Sequence, residues 1–233
     1  MKKIILSGVA LALSSNLLFA GGKLVEPVSA PVVAVSNHDT SGIYALGAVY
    51  YNNVYSTDYN WFNNGDITQD KVFGLTAGLG YNYNKYLAFE SRISKSLLEE
   101  DYANEYHLSF FLKPQYRFRD DSNYEDDYVS IYGLLGVGYV HVEGTDGDTP
   151  GASEIIDKTI ASNWNFQYGL GLSYTFVDTT HPENDSGDWS IFAEYVVYMN
   201  DASITPTRLY NHDSKTYDEL SMNSLSIGIS YQF

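Results

Sequence analysis

From Gly42 to Phe233 apolar and polar side chains alternate with a period of two, and no stretch carries a helical stripe. The segment KVFGLTAGLGYNY puts Phe73, Leu75, Ala77, Leu79, Tyr81 and Tyr83 on one face. Val72, Gly74, Thr76, Gly78, Gly80 and Asn82 take the other. NWNFQYGLGLSYTF repeats the pattern, with Trp164, Phe166, Tyr168, Leu170, Leu172, Tyr174 and Phe176 opposite Asn165, Gln167, Gly169, Gly171, Ser173 and Thr175. The same alternation runs through 42–54, 86–96, 106–118, 128–142, 189–199 and 220–233, so the pattern predicts eight strands.

The chemistry of the two faces decides what surrounds them. In an antiparallel sheet packed in water, the apolar face is buried and charges face out. Here the apolar faces are heavily aromatic, and the opposite faces carry Gly, Ser, Thr and amides. Aromatic residues gather at the strand ends: Tyr44, Tyr50, Tyr83, Tyr116, Phe118, Tyr139, Trp164, Phe176, Trp189, Tyr231 and Phe233. A lipid-facing sheet needs that arrangement at its two interfaces. The expected fold is therefore all-β, an eight-stranded antiparallel up-and-down transmembrane β-barrel over 42–233. Closure satisfies every backbone donor and acceptor in lipid, and small inward residues suit a narrow barrel filled by a few larger side chains. A mean hydropathy of −0.23 is compatible, because a spanning strand shows lipid only its alternate residues. A secreted lipocalin-like barrel or sandwich would leave the aromatic ends and the final Phe without a reason.

The opening residues are a separate object. MKKIILSGVALALSSNLLFA has two lysines, an apolar run from Ile4 and a small residue at its exit, the pattern of a secretory signal peptide over 1–20. Ser14-Ser15-Asn16 interrupts it, and a spanning helix needs about 20 apolar residues. Cleavage near Ala20 would take the formal charge from −16 to −18. Residues 21–41, with Pro27 and Pro31 among small residues, are expected to form a periplasmic linker.

Composition then removes whole classes of function. The absence of Cys excludes disulfides, thiolate metal sites and a lipidated amino-terminal Cys. A charge of −16 with 13 scattered basic residues offers no nucleic-acid surface. The acids of 119–127 and 143–162 lack calcium-loop spacing, so no metal or other cofactor is expected.

With strands, faces and signal in hand, the chain resembles the small outer-membrane β-barrel proteins of Gram-negative bacteria, the barrel domain of outer-membrane protein A and single-domain porin-family barrels among them. The resemblance is carried by the last strand, SLSIGISYQF, where Ser226, Gly228, Tyr231 and Phe233 match the family's assembly signal. It is also carried by VSIYGLLGVGYVHVEG and LAFESRISKS. It implies residence in the outer membrane, contact with outer-membrane lipids and lipopolysaccharide, and recognition by the barrel-assembly machinery. The connections at 119–127 and 177–188 would then be periplasmic, although longer than the family's short turns. Those at about 55–69, 97–105, 143–162 and 200–218 would be extracellular, offering Tyr55, Tyr59, Trp61, Phe62, Tyr102 and Tyr210 to an unidentified ligand. No carboxy-terminal cell-wall-binding domain is expected, so that part of the resemblance is not carried over.

Once one face belongs to lipid, the charged strand residues must point inward, because Lys or Arg at the midplane costs about 2–4 kcal/mol. Glu90, Arg92, Lys113, Arg117 and Glu194 are expected to form one interior ionic network, with Glu90 nearly opposite Lys113. The favoured function is structural, with the lumen plugged and the loops displayed. The alternative is a narrow channel for ions or small solutes, in which that network gates. A lipid-modifying enzyme is disfavoured. His107 and Ser109 weakly resemble the His-x-Ser of a lipid A deacylase motif, but Phe110 stands in place of its Asn and both residues face inward by parity. The chain is not expected to be an enzyme.

Overall fold

The computed structural model describes residues 39–56, 68–99, 103–119, 125–144, 159–180, 184–204 and 217–233. The expected signal peptide and most of the expected linker lie outside the described residues, as do Tyr59, Trp61, Phe62, Tyr102 and Tyr210. Eight strands follow in order: β1 (Gly42–Ser56), β2 (Thr68–Asn84), β3 (Leu87–Glu99), β4 (Ala103–Phe118), β5 (Tyr128–Gly144), β6 (Thr159–Phe176), β7 (Trp189–Ile204) and β8 (Tyr217–Gln232). Each pairs antiparallel with the next, and β1 closes on β8 with Ala48 opposite Gly228. The structure is a closed all-β up-and-down barrel.

Three connections, at 85–86, 119–127 and 177–188, lie at one end together with Asp39 and Phe233; this end is called the turn side. The opposite strand ends, at Ser56, Thr68, Glu99, Ala103, Gly144, Thr159, Ile204 and Tyr217, mark the other end, the loop side. The strands run further toward the loop side than alternation alone predicts. Pairing continues to Ser56 opposite Thr68, and β4 begins at Ala103 opposite Gly144. Backbone pairing needs no apolar face, so the ladder outlasts the hydrophobic pattern that betrays it. That extension draws Glu105 into the barrel.

Polarity is inverted relative to a protein folded in water. Leu170 is 68% exposed and Ile93 65%, and every strand turns apolar residues outward at alternate positions. Trp164, Phe176, Trp189, Tyr116 and Phe118 lie outward at the strand ends. Tyr44 and Tyr50 do not; both are buried in the lumen, contrary to the expectation that they belong to the outer aromatic ends. In β1 both faces are apolar, so polarity cannot choose between them. Pairing with β2 and β8 chooses, sending Ile43, Val49 and Tyr51 outward. The lumen accepts the two rings because its facing positions are glycines: the Tyr44 ring lies over Gly80 and the Tyr50 ring over Gly74.

The interior is packed in layers. Tyr44, Leu46, Ala48, Ala88 and Phe192 form a turn-side apolar cluster. A larger one toward the loop side includes Val54, Val72, Leu134, Val140, Val142, Met199, Leu220 and Met222. At the turn side, residues 184–188 are pinned to the barrel end. Gly187 N donates to Gln232 O at 2.8 Å, and Gln232 N donates to Asp188 O at 3.0 Å. Gly187 has φ 95°, a left-handed conformation that suits a residue without a Cβ. Asp39 pairs with Asn184 in a short parallel bridge, so the last described residues before β1 touch this turn.

Candidate functional site

Parity on four strands aims charged side chains at one level of the lumen. Glu90 and Arg92 come from β3, Lys113 from β4 and Glu194 from β7. Ala88 is opposite Lys113 and Glu90 opposite Phe111, so Glu90 and Lys113 sit on a diagonal of the β3–β4 pair. Lys113 Nζ donates to Glu90 Oε1 at 2.7 Å. Arg92 Nε donates to Glu90 Oε2 at 2.8 Å, and the guanidinium also reaches both carboxylate oxygens of Glu194. All four are removed from solvent, apart from a partly accessible Lys113 ammonium.

Aromatic hydroxyls complete the layer. The Tyr44 hydroxyl donates to Glu90 Oε1, and the Tyr132 hydroxyl donates to Glu194 Oε2 at 3.0 Å. The Lys113 ammonium lies 4.2 Å from the centre of the Tyr132 ring, and Arg92 lies 5.3 Å from that of Phe111. Two carboxylates, two cations and two phenols thus satisfy one another. A buried ionic group stripped of its partner would be costly, so mutual satisfaction is the condition for this layer to exist. Tyr44 and Tyr132 carried no polar signal in the sequence; strand parity points Tyr132 inward on β5, and on β1, with two apolar faces, it gives no clue to Tyr44.

Arg117 does not join this layer. It lies further toward the turn side, where it pairs with Asp185 of the 177–188 connection, and Arg119 also reaches Asp185 at 3.3 Å. The expected five-member network is therefore a central layer of four and a separate group at the turn-side mouth. Asp185 sits in a turn with no periodicity, and for that reason no pattern announced it. Beside it, burial pushes the Asp188 carboxyl up to about 6, with the Asp185 charge adding to the effect. The hydrogen bond from Asp178 N and the charges of Arg119 and Arg117 oppose the shift.

A third polar group lies toward the loop side. Asn52 Nδ2 donates to Glu105, whose other carboxylate oxygen is 3.5 Å from His107 Nε2. The His107 ring lies between Tyr50 and Tyr198, with centroids 6.1 Å and 4.6 Å away. His107 and Ser109 are both buried in the lumen, away from the lipid-facing surface. Among the described residues no group of three or more His, Asp or Glu side chains is placed to hold a metal.

On β8, Ser226 and Gly228 face inward, and a Cβ at Gly228 would meet the Phe192 ring and the Gly47 carbonyl. Tyr231 packs between Trp189 and Phe233, with ring centroids 4.8 Å and 5.1 Å away. Phe233 N donates to Ile43 O at 2.9 Å, tying the end of the barrel seam. The four residues of the expected assembly signal thus form an inward pair and an outward aromatic pair.

Solved structures of outer-membrane barrels resemble this fold. Neisserial surface protein A is 15% identical, with 83% of this chain and 98% of that chain covered and a TM-score of 0.49. The attachment invasion locus protein Ail of Yersinia pestis is 18% identical over 83% and 100%, with a TM-score of 0.45. OprG of Pseudomonas aeruginosa is 16% identical over 85% and 98%, with a TM-score of 0.45. No curated protein matches the sequence. The model of the outer membrane protein beta-barrel domain matches residues 28–233, which contain the whole barrel, and the chain belongs to that family of outer-membrane proteins.

Proposed function

We propose that this protein is a structural component of the Gram-negative outer membrane whose lumen is plugged and whose loop-side connections are displayed at the cell surface. The observation that carries the reading is the cross-lumen contact between Arg92 and Glu194, backed by Glu90 and Lys113. An eight-stranded barrel is only wide enough for its own side chains, and here a satisfied ionic layer fills that width. The turn side faces the periplasm in this reading, and the girdle aromatics contact outer-membrane lipids and lipopolysaccharide. Ser226, Gly228, Tyr231 and Phe233 serve the assembly machinery, and the signal peptide is removed near Ala20. No catalytic role is assigned.

A narrow channel is the second reading, favoured by polar side chains that line the lumen from the turn-side mouth as far as Lys113. One experiment separates the two. The mature chain, refolded and checked by its heat-dependent gel mobility, is placed in a planar bilayer. A plugged barrel stays silent, both as wild type and as Glu90→Gln. Reproducible single-channel current altered by Glu90→Gln would replace the plug with a gate.

A further inference from the structure

Among the described residues one cation has no partner, and it faces the lipid side. Arg92, Lys113, Arg117 and Arg119 are bound to carboxylates, Lys85 lies over the Tyr86 ring, and Lys71 is engaged as well. Lys95 on β3 is exposed on the outer face, between Leu75 of β2 and Tyr106 of β4. Cross-strand pairing carries this row on from Tyr106 to His141 and then to Ser162. Tyr106 is 45% exposed, and the Tyr139 hydroxyl shares a hydrogen bond with Ser162 Oγ. Glu143, on β5, is already paired with His141 Nε2 at 2.9 Å, and β4 lies between it and Lys95. A lysine on a spanning strand is tolerated at the membrane boundary, where its ammonium can meet water or an anion.

Four residues along the same strand, about 13 Å toward the turn side, the outer surface dips. Ser91 is the small side chain there, opposite Leu79 on β2 and Phe110 on β4. Leu79, Tyr81, Phe89, Phe110 and Leu112 stand around it and enclose an apolar groove of about 580 Å³ that opens to the lipid side. The Ser91 hydroxyl donates to Leu79 O at 3.4 Å, so it is turned onto the sheet and leaves the groove to hydrocarbon. A phosphate answers an unpaired lysine, and a phenol beside it suits a sugar, since its ring is apolar and its tip polar. Walls of branched and aromatic side chains suit an acyl chain. The two features lie on one strand in the order that a phosphorylated lipid presents them, head at the boundary and chain beneath.

We propose that the outer face of β2–β4 holds one lipopolysaccharide molecule, with a headgroup phosphate on the Lys95 ammonium beside the Tyr106 hydroxyl and an acyl chain in the groove at Ser91. This rests on the reading that the loop side faces outward, which sets Lys95 at the boundary of the outer leaflet. The test is non-denaturing mass spectrometry of the refolded mature chain released from detergent micelles. The probes are diphosphorylated lipid A, the same lipid A stripped of its phosphates, and phosphatidylglycerol. One diphosphorylated lipid A should be retained per chain, about tenfold more tightly than either of the others. Lys95→Gln should abolish the preference for phosphate. Ser91→Phe, which fills the groove, should weaken binding about threefold and keep that preference. Both side chains face outward, so neither change reaches the packed lumen. Equal retention of phosphatidylglycerol, indifference to the phosphates, or binding unchanged in both variants would overturn the proposal.

Orientation is read separately. The chain has no Cys, so Ser153→Cys, between the loop-side ends of β5 and β6, gives a single thiol for a membrane-impermeant maleimide on intact cells. Labelling is the expected result. A thiol that reacts only after lysis would overturn the outward reading and the lipopolysaccharide assignment with it. Labelling without lipid A binding would overturn this proposal alone.

Discussion

Arg92 on β3 and Glu194 on β7 stand 102 residues apart and meet across the lumen through two N–H···O contacts. A guanidinium is the one side chain whose planar fork can bond Glu194 and Glu90 at once from a single position. The two strands are not neighbours in the sheet, so this contact braces the barrel across its width rather than along its seam.

Arg92→Met should therefore cost about 3–5 kcal/mol of unfolding free energy, because it takes the only cation from Glu194, which keeps just the Tyr132 hydroxyl, while Glu90 keeps Lys113 and the Tyr44 hydroxyl. Arg92→Met combined with Glu194→Met should recover much of that loss. Equilibrium urea unfolding in lipid vesicles, followed by Trp fluorescence, reads both. Equal losses for the single and double variants would show that Glu194 left without Arg92 carries no penalty.

Glycines opposite the luminal phenols set a second expectation. The Tyr132 ring occupies the space where a Gly171 Cβ would go. Gly171→Ala should cost about 1–3 kcal/mol by overpacking, and Tyr132→Ala in the same chain should remove most of that penalty. The double-mutant cycle, measured by the same unfolding assay, checks the coupling.

The membrane band can be located with lysine. Lys95 faces outward beside Leu75 and Tyr106, and Tyr106 stacks on His141 at 4.6 Å in the loop-side aromatic girdle. Leu170 faces outward near the middle of β6. Leu170→Lys should cost about 2–4 kcal/mol, whereas Lys95→Leu should change stability by about 1 kcal/mol or less. Similar effects at the two positions would place the hydrocarbon band elsewhere.

Acidity should act at the turn side through Asp188. Its folded value, about 6, lies above the ordinary 3.8, so between those values the folded chain binds more protons than the unfolded chain. This group's contribution to stability therefore falls as pH rises from about 4 to about 6 and stays unfavourable above that. The wild type should gain stability on acidification from pH ~7 to ~5 relative to Asp188→Asn. Urea midpoints of the two proteins against pH report the difference, and parallel curves would remove Asp188 from the account.

How much of this could be read without coordinates differs by residue. Leu170, Ile93 and Trp164 face lipid because a period of two admits one apolar face on their strands, and the strand itself decides nothing further. Glu90, Arg92, Lys113 and Glu194 point inward for the same reason, since the other face is lipid. Tyr44 and Tyr50 lie inside against expectation because both faces of β1 are apolar and period alone does not choose between them. Arg117 pairs with Asp185 and not with Glu90 or Glu194 because strand parity gives a direction, not a depth along the barrel axis.

The sequence by itself determined the architecture: eight alternating strands and an inverted polarity that only a closed sheet in lipid can use, since period and solvent preference are local properties of each strand. The tertiary structure alone decided which inward groups touch. Closure of β1 on β8 and the register of every pair set the height of each side chain in the lumen. That height joins Arg92 to Glu194 and leaves Arg117 to Asp185 in an aperiodic turn, whose Asp188 carbonyl accepts the backbone N–H of Gln232 at the barrel end.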